Sequence, residues 1–251
     1  MLRRKNTGGT LATVFSRFFS EAGFFLTIRE KSVIIKIYMR TKRGIVLTIF
    51  YSFGGNMYVN ITNGCPCACV FCIRKNSDTV CDNDSLWLEH EPNFTEIKDA
   101  FERFDKSGAE EAVFCGYGEP TVRVETLIDT AKLIRENTDM KVRLNTNGLV
   151  RLIHKDFDVK RFKGLIDSVS VSLNAPNAKR YNEVTQPSFG EPAFEEMLKF
   201  AADMKNLGIN TGFTVVDVIS AEEICECEKL AEKLGIPLRV RHYITDNESY
   251  T

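Results

Sequence analysis

Four of the chain's eight cysteines fall within eight residues, Cys65-Pro66-Cys67-Ala68-Cys69-Val70-Phe71-Cys72. Thiols this crowded cannot all pair comfortably with one another, and eight cysteines in 251 residues is not the density of a disulfide scaffold. The pattern points instead to metal ligation in a reducing, cytoplasmic setting. Cys65, Cys69 and Cys72 stand in a CxxxCxxC spacing, with Phe71 just before the last. Ligands three and four apart can fold back onto neighbouring corners of an iron–sulfur cube, which is held by cysteine thiolates. Three ligands on a [4Fe–4S] cluster leave one iron open to a small molecule, as a catalytic metal site requires. Cys67, between two of the ligands, is expected to point away as an incidental thiol. Zinc is the competing metal, but structural zinc sites arrange their ligands in two separated pairs, and His90, His154 and His242 lie scattered.

Such a loop needs a scaffold, and from residue 45 onward the chain alternates short apolar runs with helical periodicity. Ile45 to Phe50 and Met57 to Ile61 flank Gly54-Gly55-Asn56, as in a hairpin or an edge strand leading into a core strand. Asn93 with Glu96 marks a helix start, followed by Ile97, Ala100, Phe101 and Phe104 and a stop at Gly108. Strands are predicted over 112–115, 142–144, 168–173, 211–216 and 237–240. Helices are predicted over about 124–137, around the Phe194, Met197, Leu198, Ala201 stripe, and over 221–234. A short helix or irregular crossing covers 156–164. Six strands alternating with helices imply parallel pairing and right-handed crossovers. Six units fall short of a closed barrel, so the predicted fold is α/β, an open partial (β/α)6 TIM-like barrel. Polar, glycine-rich motifs sit at the strand ends: Thr62-Asn63-Gly64, Gly116-Tyr117-Gly118-Glu119-Pro120, Asn145-Thr146-Asn147-Gly148 and Asn174-Ala175. Those ends are where α/β barrels carry their chemistry.

The cysteine loop together with these strand ends resembles the radical S-adenosylmethionine (SAM) superfamily. Cys65-x3-Cys69-x2-Cys72 with Phe71 is similar to its cluster signature. Gly116 to Pro120 is similar to its GGEP motif, Asn145 to Gly148 to its third-strand pattern, and Ser172-Leu173-Asn174 to its fourth-strand cofactor contact. The order and spacing agree over roughly residues 56–241. Within the superfamily, Asn60-Ile61-Thr62-Asn63, Phe71-Cys72-Ile73-Arg74 and Phe114 to Thr121 most resemble the TatD-family-associated radical SAM proteins. The resemblance implies that Cys65, Cys69 and Cys72 bind a [4Fe–4S] cluster whose open iron takes the amino and carboxylate groups of SAM. It implies that Phe71 lies near the adenine, that Gly116, Gly118 and Glu119 receive the amino group, and that Ser172 and Asn174 bond the ribose or the carboxylate. Asn147 is a further cofactor candidate, and Tyr117 between the glycines departs from the commonest pattern. The implied reaction is reductive cleavage of SAM to a 5′-deoxyadenosyl radical that abstracts hydrogen from a substrate. The substrate is to be sought among small molecules, nucleobases and partner proteins, and the electron donor among flavodoxin- or ferredoxin-like proteins.

The other residues bound the function without defining it. The formal net charge of −1 gives no bulk attraction to nucleic acid or membrane, and no apolar run approaches the ~18 residues of a membrane span. Residues 1–44 are basic, with Glu21 and Glu30 their only acids. They read as an extension not needed for the fold, with Met39 among the candidate starts, or as a transit peptide; residues 45–251 read as the core domain. Cys227 and Cys115 are expected to be buried thiols, and Glu91, Asp217 and Arg241 structural or surface charges. Trp87 either covers the opening or packs beside it. The runner-up function is a non-catalytic iron–sulfur or zinc-binding protein on the same partial barrel.

Overall fold

Gly54 and Gly55 both adopt positive φ (53° and 75°), which lets two residues turn the chain between strands β1 (Phe50–Phe53) and β2 (Asn56–Val59). This computed structural model describes residues 47–75 and 85–243. The basic extension 1–44, the start of the predicted 45–50 strand, and Cys81 lie outside the described residues. After the antiparallel hairpin the chain builds β3 (Glu111–Phe114), β4 (Lys141–Thr146), β5 (Ser168–Ser172), β6 (Asn210–Val216) and β7 (Leu238–Arg241). The sheet order is β1 to β7 in sequence, and every pair from β2–β3 to β6–β7 is parallel. β1 does not pair with β7, so six parallel strands and one antiparallel edge strand form an open, partial barrel, as the alternation predicts.

Among the described residues, six helices link the strands: α1 (Phe94–Arg103), α2 (Val124–Asn137), α3 (Val150–Ile153), α4 (Ala178–Thr185), α5 (Pro192–Asn206) and α6 (Ala221–Leu234). The Asn93–Glu96 capping box forms as expected. The helix stops at Phe104 rather than Gly108, which sits at positive φ in the following turn. The predicted crossing at 156–164 is a single 3₁₀ turn, Val159–Phe162, preceded by the unpredicted α3. The helical face of the sheet is dry: Leu127, Ile134, Leu144, Val171 and Phe200 are fully buried, and Cys227 joins that core as expected. The opposite face of the strands carries Arg143, Asn145, Ser168 and Ser170 and lines a cavity inside the barrel.

Asp167 ties the N-terminal ends of β4 and β5 together. Its Oδ2 accepts from the Val142 N–H at 2.8 Å and from Arg135 Nη2 at 2.6 Å. Burial alone would raise its carboxyl, but the Val142 N–H and the Arg135 guanidinium outweigh it and hold Asp167 below the usual carboxylate range. A depressed folded pKa stabilises above the unfolded value, about 3.9, and that contribution disappears as pH falls through the folded value. Asp167→Asn is expected to lose about 1–2 kcal/mol at pH 7. Its deficit in urea unfolding should shrink below about pH 4; a deficit that stays constant with pH would show that the charge contributes nothing.

Candidate active site

The cysteine loop begins where β2 stops and is gripped from two sides. On one side Asn63 pairs with the Leu88 backbone, donating to its carbonyl at 2.7 Å and accepting from its N–H at 3.1 Å. The Asn60 amide donates to the Leu86 carbonyl at 2.8 Å. Thr62 donates to Glu91, and Arg123 pairs with Glu91 at 2.9 Å while also capping the Ile61 carbonyl at 3.1 Å. Glu91 is therefore structural, as expected. On the other side the loop meets the end of α4. The Ala68 N–H donates to the Thr185 carbonyl at 3.1 Å, Val70 N–H to Val184 at 2.9 Å, and Ser188 N–H to Pro66 at 2.8 Å. An eight-residue loop with both edges hydrogen-bonded loses little further entropy on accepting a ligand.

The thiols are gathered inside this frame. Cys67 does not point away. It is buried and forms a backbone bridge with Pro187, and its thiol lies beside those of Cys65 and Cys69. The Cys67 neighbour holds the Cys65 and Cys69 thiols below the ordinary range, and those two push Cys67 up. The reason for the difference is the Pro187 contact, which turns the loop's middle inward; spacing alone does not show it. Arg74 donates through Nε to Cys72 Sγ at 3.4 Å and through Nη1 to the Asn63 carbonyl at 3.1 Å, placing a cation beside the thiols. Among the described residues, no three His, Cys, Asp or Glu side chains converge on one point as a single ion requires. A soft, thiolate-prone donor set spread along a clamped loop fits a multi-iron cluster, whose ligands bind separate corners, better than tetrahedral zinc.

The Gly116–Pro120 turn packs directly onto that loop. A Cβ on Gly118 would lie 2.3 Å from the Thr62 carbonyl oxygen and 2.7 Å from that of Gly64, and one on Gly116 would lie 2.1 Å from Asn60 Oδ1. Both glycines are required by this close approach. The Glu119 N–H then donates to the Gly64 carbonyl at 2.8 Å. The Glu119 carboxylate is buried and collects four donors: the Thr121 N–H at 3.1 Å, the Thr121 hydroxyl at 2.7 Å, the Thr146 hydroxyl at 2.7 Å and the Asn147 N–H at 2.8 Å. Burial pushes the Glu119 carboxyl up, and the four donors pull against it. Asn147 extends the chain of contacts, donating from Nδ2 to Cys67 Sγ at 3.6 Å. The ends of β3 and β4 are thus tied to the thiols through Glu119 and Asn147.

A cavity of ≈ 770 Å³ lies inside the barrel and reaches the same ends of the strands. Cys69, Phe71, Cys72 and Gly116 line it, whereas Cys65, Gly118, Glu119, Asn147, Ser172 and Asn174 do not. Ser172 is half-buried at the end of β5. Asn174 is buried at positive φ (55°), and its Oδ1 accepts from the Val216 N–H at 3.2 Å, so it joins β5 to β6. Tyr117 is buried against Trp87, ring centroids 5.1 Å apart; Trp87 packs beside the site. Cys115 is half-buried and faces the cavity. Asp217 pairs with His242 at 2.7 Å, whereas Arg241 lines the cavity. Sequence reasoning missed Arg143 and Asn145. Their signal was present: strands of a parallel sheet are usually apolar on both faces, and polar residues alternate with Val142 and Leu144 along β4.

An open α/β barrel with a cysteine-rich loop and a glycine–carboxylate turn at its C-terminal rim defines a class of cofactor-dependent barrels. The family model described as the Radical SAM superfamily matches residues 59–234, and the chain belongs to that superfamily, whose members use a [4Fe–4S] cluster and SAM. Among solved structures, the fold is similar to Streptococcus suis SuiB bound to its precursor peptide SuiA, with TM-score 0.53, 14% identity, and coverage of 77% of this chain and 42% of SuiB. It is also similar to anSMEcpe with bound AdoMet and a Kp18Cys peptide, with TM-score 0.56, 16% identity, and coverage of 75% of this chain and 51% of that one. The chain therefore spans about half or less of the length of these proteins. No curated protein matches the sequence. Among the described residues, no helix is long and apolar enough to cross a membrane.

Proposed function

We propose that the chain is a radical SAM enzyme in which Cys65, Cys69 and Cys72 hold the [4Fe–4S] cluster. The observation that carries this reading is the joining of the thiol loop to the Gly116–Glu119 turn at the mouth of one cavity, by Glu119 N–H to Gly64 and by Asn147 to Cys67. When bound, the cluster and SAM supply one-electron cleavage of a sulfonium and hydrogen abstraction from substrate. The chain's own residues bind and orient. Phe71, on the cavity wall, offers its ring to the adenine. Gly116, which lines the cavity where Gly118 does not, presents its carbonyl to the SAM ammonium, with Gly118 and Glu119 shaping that turn. Ser172 and Asn174 face the ribose or carboxylate side, and Asn147 holds the loop to the rim. The buried walls exclude water from the reacting atoms.

The finer assignments belong to the same reading. The Asn60–Asn63 and Phe114–Thr121 motifs support a grouping of the chain with the TatD-family-associated radical SAM proteins, and its free thiols suit the cytoplasm. A flavodoxin- or ferredoxin-like protein supplies the electron. The peptides bound to SuiB and anSMEcpe put a partner protein beside small molecules and nucleobases as candidate substrates.

The test is anaerobic reconstitution with iron and sulfide, then incubation with dithionite and SAM. Release of 5′-deoxyadenosine is expected. A protein that takes up zinc, assembles no cluster and leaves SAM intact would instead be the non-catalytic metal binder.

A further inference from the structure

The cavity inside the barrel is lined by an excess of positive charge. Three arginines line the cavity, Arg143, Arg239 and Arg241, against a single described carboxylate, Glu111. Arg143 spends one nitrogen on Glu111, at 3.2 Å from Nη2, and its Nε is buried with no hydrogen-bond partner among the described residues. Arg239 and Arg241 form no ion pair with any described residue. The Asn145 Oδ1 is a second buried polar atom without a partner on the same wall. Arg143 and Arg241 line the same cavity as Tyr58 and Cys115, and both guanidiniums pull against the burial that raises that phenol and that thiol.

Position separates Arg143 from the cofactor rim, whereas Arg241 is the last residue of β7 and stands at that rim. Arg143 precedes the end of β4 by three residues, or about 10 Å of strand. Its register partner is Ser168 at the very start of β5. Arg143 is partly buried, whereas Arg239 and Arg241 are exposed where they line the cavity. A cleft lined by one sign of charge focuses its field on a ligand of the opposite sign. Guanidinium forks match the geometry of carboxylates and phosphates, and ≈ 770 Å³ lies within the size range of small-molecule pockets.

We propose that Arg143 and Arg241, with Arg239, form an anion subsite inside the barrel, and that the substrate is a small molecule carrying a carboxylate or a phosphate group. The anion would seat beside Tyr58 and Asn145, leaving the rest of the molecule directed toward Gly116 and Phe71. The proposal rests on the radical SAM reading for what happens to that molecule; the subsite itself is a matter of binding.

The test uses the reconstituted full chain and calorimetric titration with inorganic phosphate and with succinate, while the Kd for SAM is measured separately. At least one probe is expected to bind saturably, and Arg143→Gln and Arg241→Gln each to weaken it by about tenfold or more while the SAM Kd stays within about twofold. Preference for phosphate would identify a phosphate ester, and preference for succinate a carboxylic acid. Arg143→Gln leaves Glu111 without its partner; if that protein does not fold, Arg241→Gln, which breaks no ion pair with a described residue, decides. The subsite is overturned if neither probe saturates, if Arg241→Gln binds them as the parent does, or if SAM affinity falls in parallel, which would make the arginines SAM ligands. Saturable probe binding in a protein that releases no 5′-deoxyadenosine supports the subsite and removes the proposed activity.

Discussion

Cys69→Ala is expected to lose the iron–sulfur absorbance and to drop 5′-deoxyadenosine release to background, whereas Cys67→Ala keeps both. On the proposed assignment Cys69 is one of three ligands, and a cube held at two corners by this loop is not retained, because metal affinity in such sites is summed over ligands positioned by the fold. Cys69 also lines the cavity, so its loss removes a contact at the reacting end of the pocket. Cys67 occupies a different place. Its thiol lies between Cys65 and Cys69 and is buried in the core beside Pro187. Truncating it removes a small buried group, at about 1 kcal/mol, and the contact of its Sγ with Asn147 Nδ2. A slower or differently poised cluster follows, but an assembled one. Iron content, visible absorbance and product release read the contrast. Equal loss in both proteins would put Cys67 in the ligand set and undo the CxxxCxxC assignment.

The second large effect is expected at Glu119. Its carboxylate satisfies four donors from three residues on two strand ends. Glu119→Ala strands the Thr121 and Asn147 N–H groups in a buried place, and each such orphan costs about 1–3 kcal/mol. The Thr146 hydroxyl loses its acceptor as well, while still accepting from the Gly148 N–H at 3.0 Å. The sum is about 3 kcal/mol or more, a large share of a domain's stability. Once Asn147 is released, its contact with Cys67 at 3.6 Å goes with it, and cluster retention should fall alongside stability. Glu119→Gln keeps an acceptor and the side chain's shape, and is expected to recover part of both. Urea unfolding and iron content measure the two effects. If Glu119→Ala unfolds like the parent and only the SAM Kd weakens, the carboxylate acts on the SAM ammonium and not as a clamp between strands.

The local features of this fold are legible in the amino-acid sequence. The Asn93 and Glu96 capping pair, the 124–137 and 221–234 helices and the glycine turn at 54–55 are all specified by residues within a few positions of one another. Their alternation implies the open barrel because each strand–helix unit can close only onto its neighbour. Boundaries drift where tertiary contacts decide them. Residues 47–49 of the predicted first strand lie outside β1, which begins at Phe50, and α1 ends before its glycine. The CxxxCxxC spacing and the glycine–carboxylate turn are equally local, and they point to the superfamily.

What the sequence determined by itself, then, was the set of ligating thiols proposed at one strand end and the fold that carries them, because both are encoded over short spans. Only the tertiary structure decided how they are held and what they face. Cys67 turns inward because Pro187, far along the chain, lies against it. Gly116 and Gly118 are glycines because Asn60 and the Thr62 carbonyl occupy the space of a side chain. Glu119 is a clamp because Thr146 and Asn147 arrive on the adjacent strand. Arg143, Arg239 and Arg241 share one interior only when β4 and β7 curve around the same cavity. Charge and close packing act through space, so residues distant in the chain settle them.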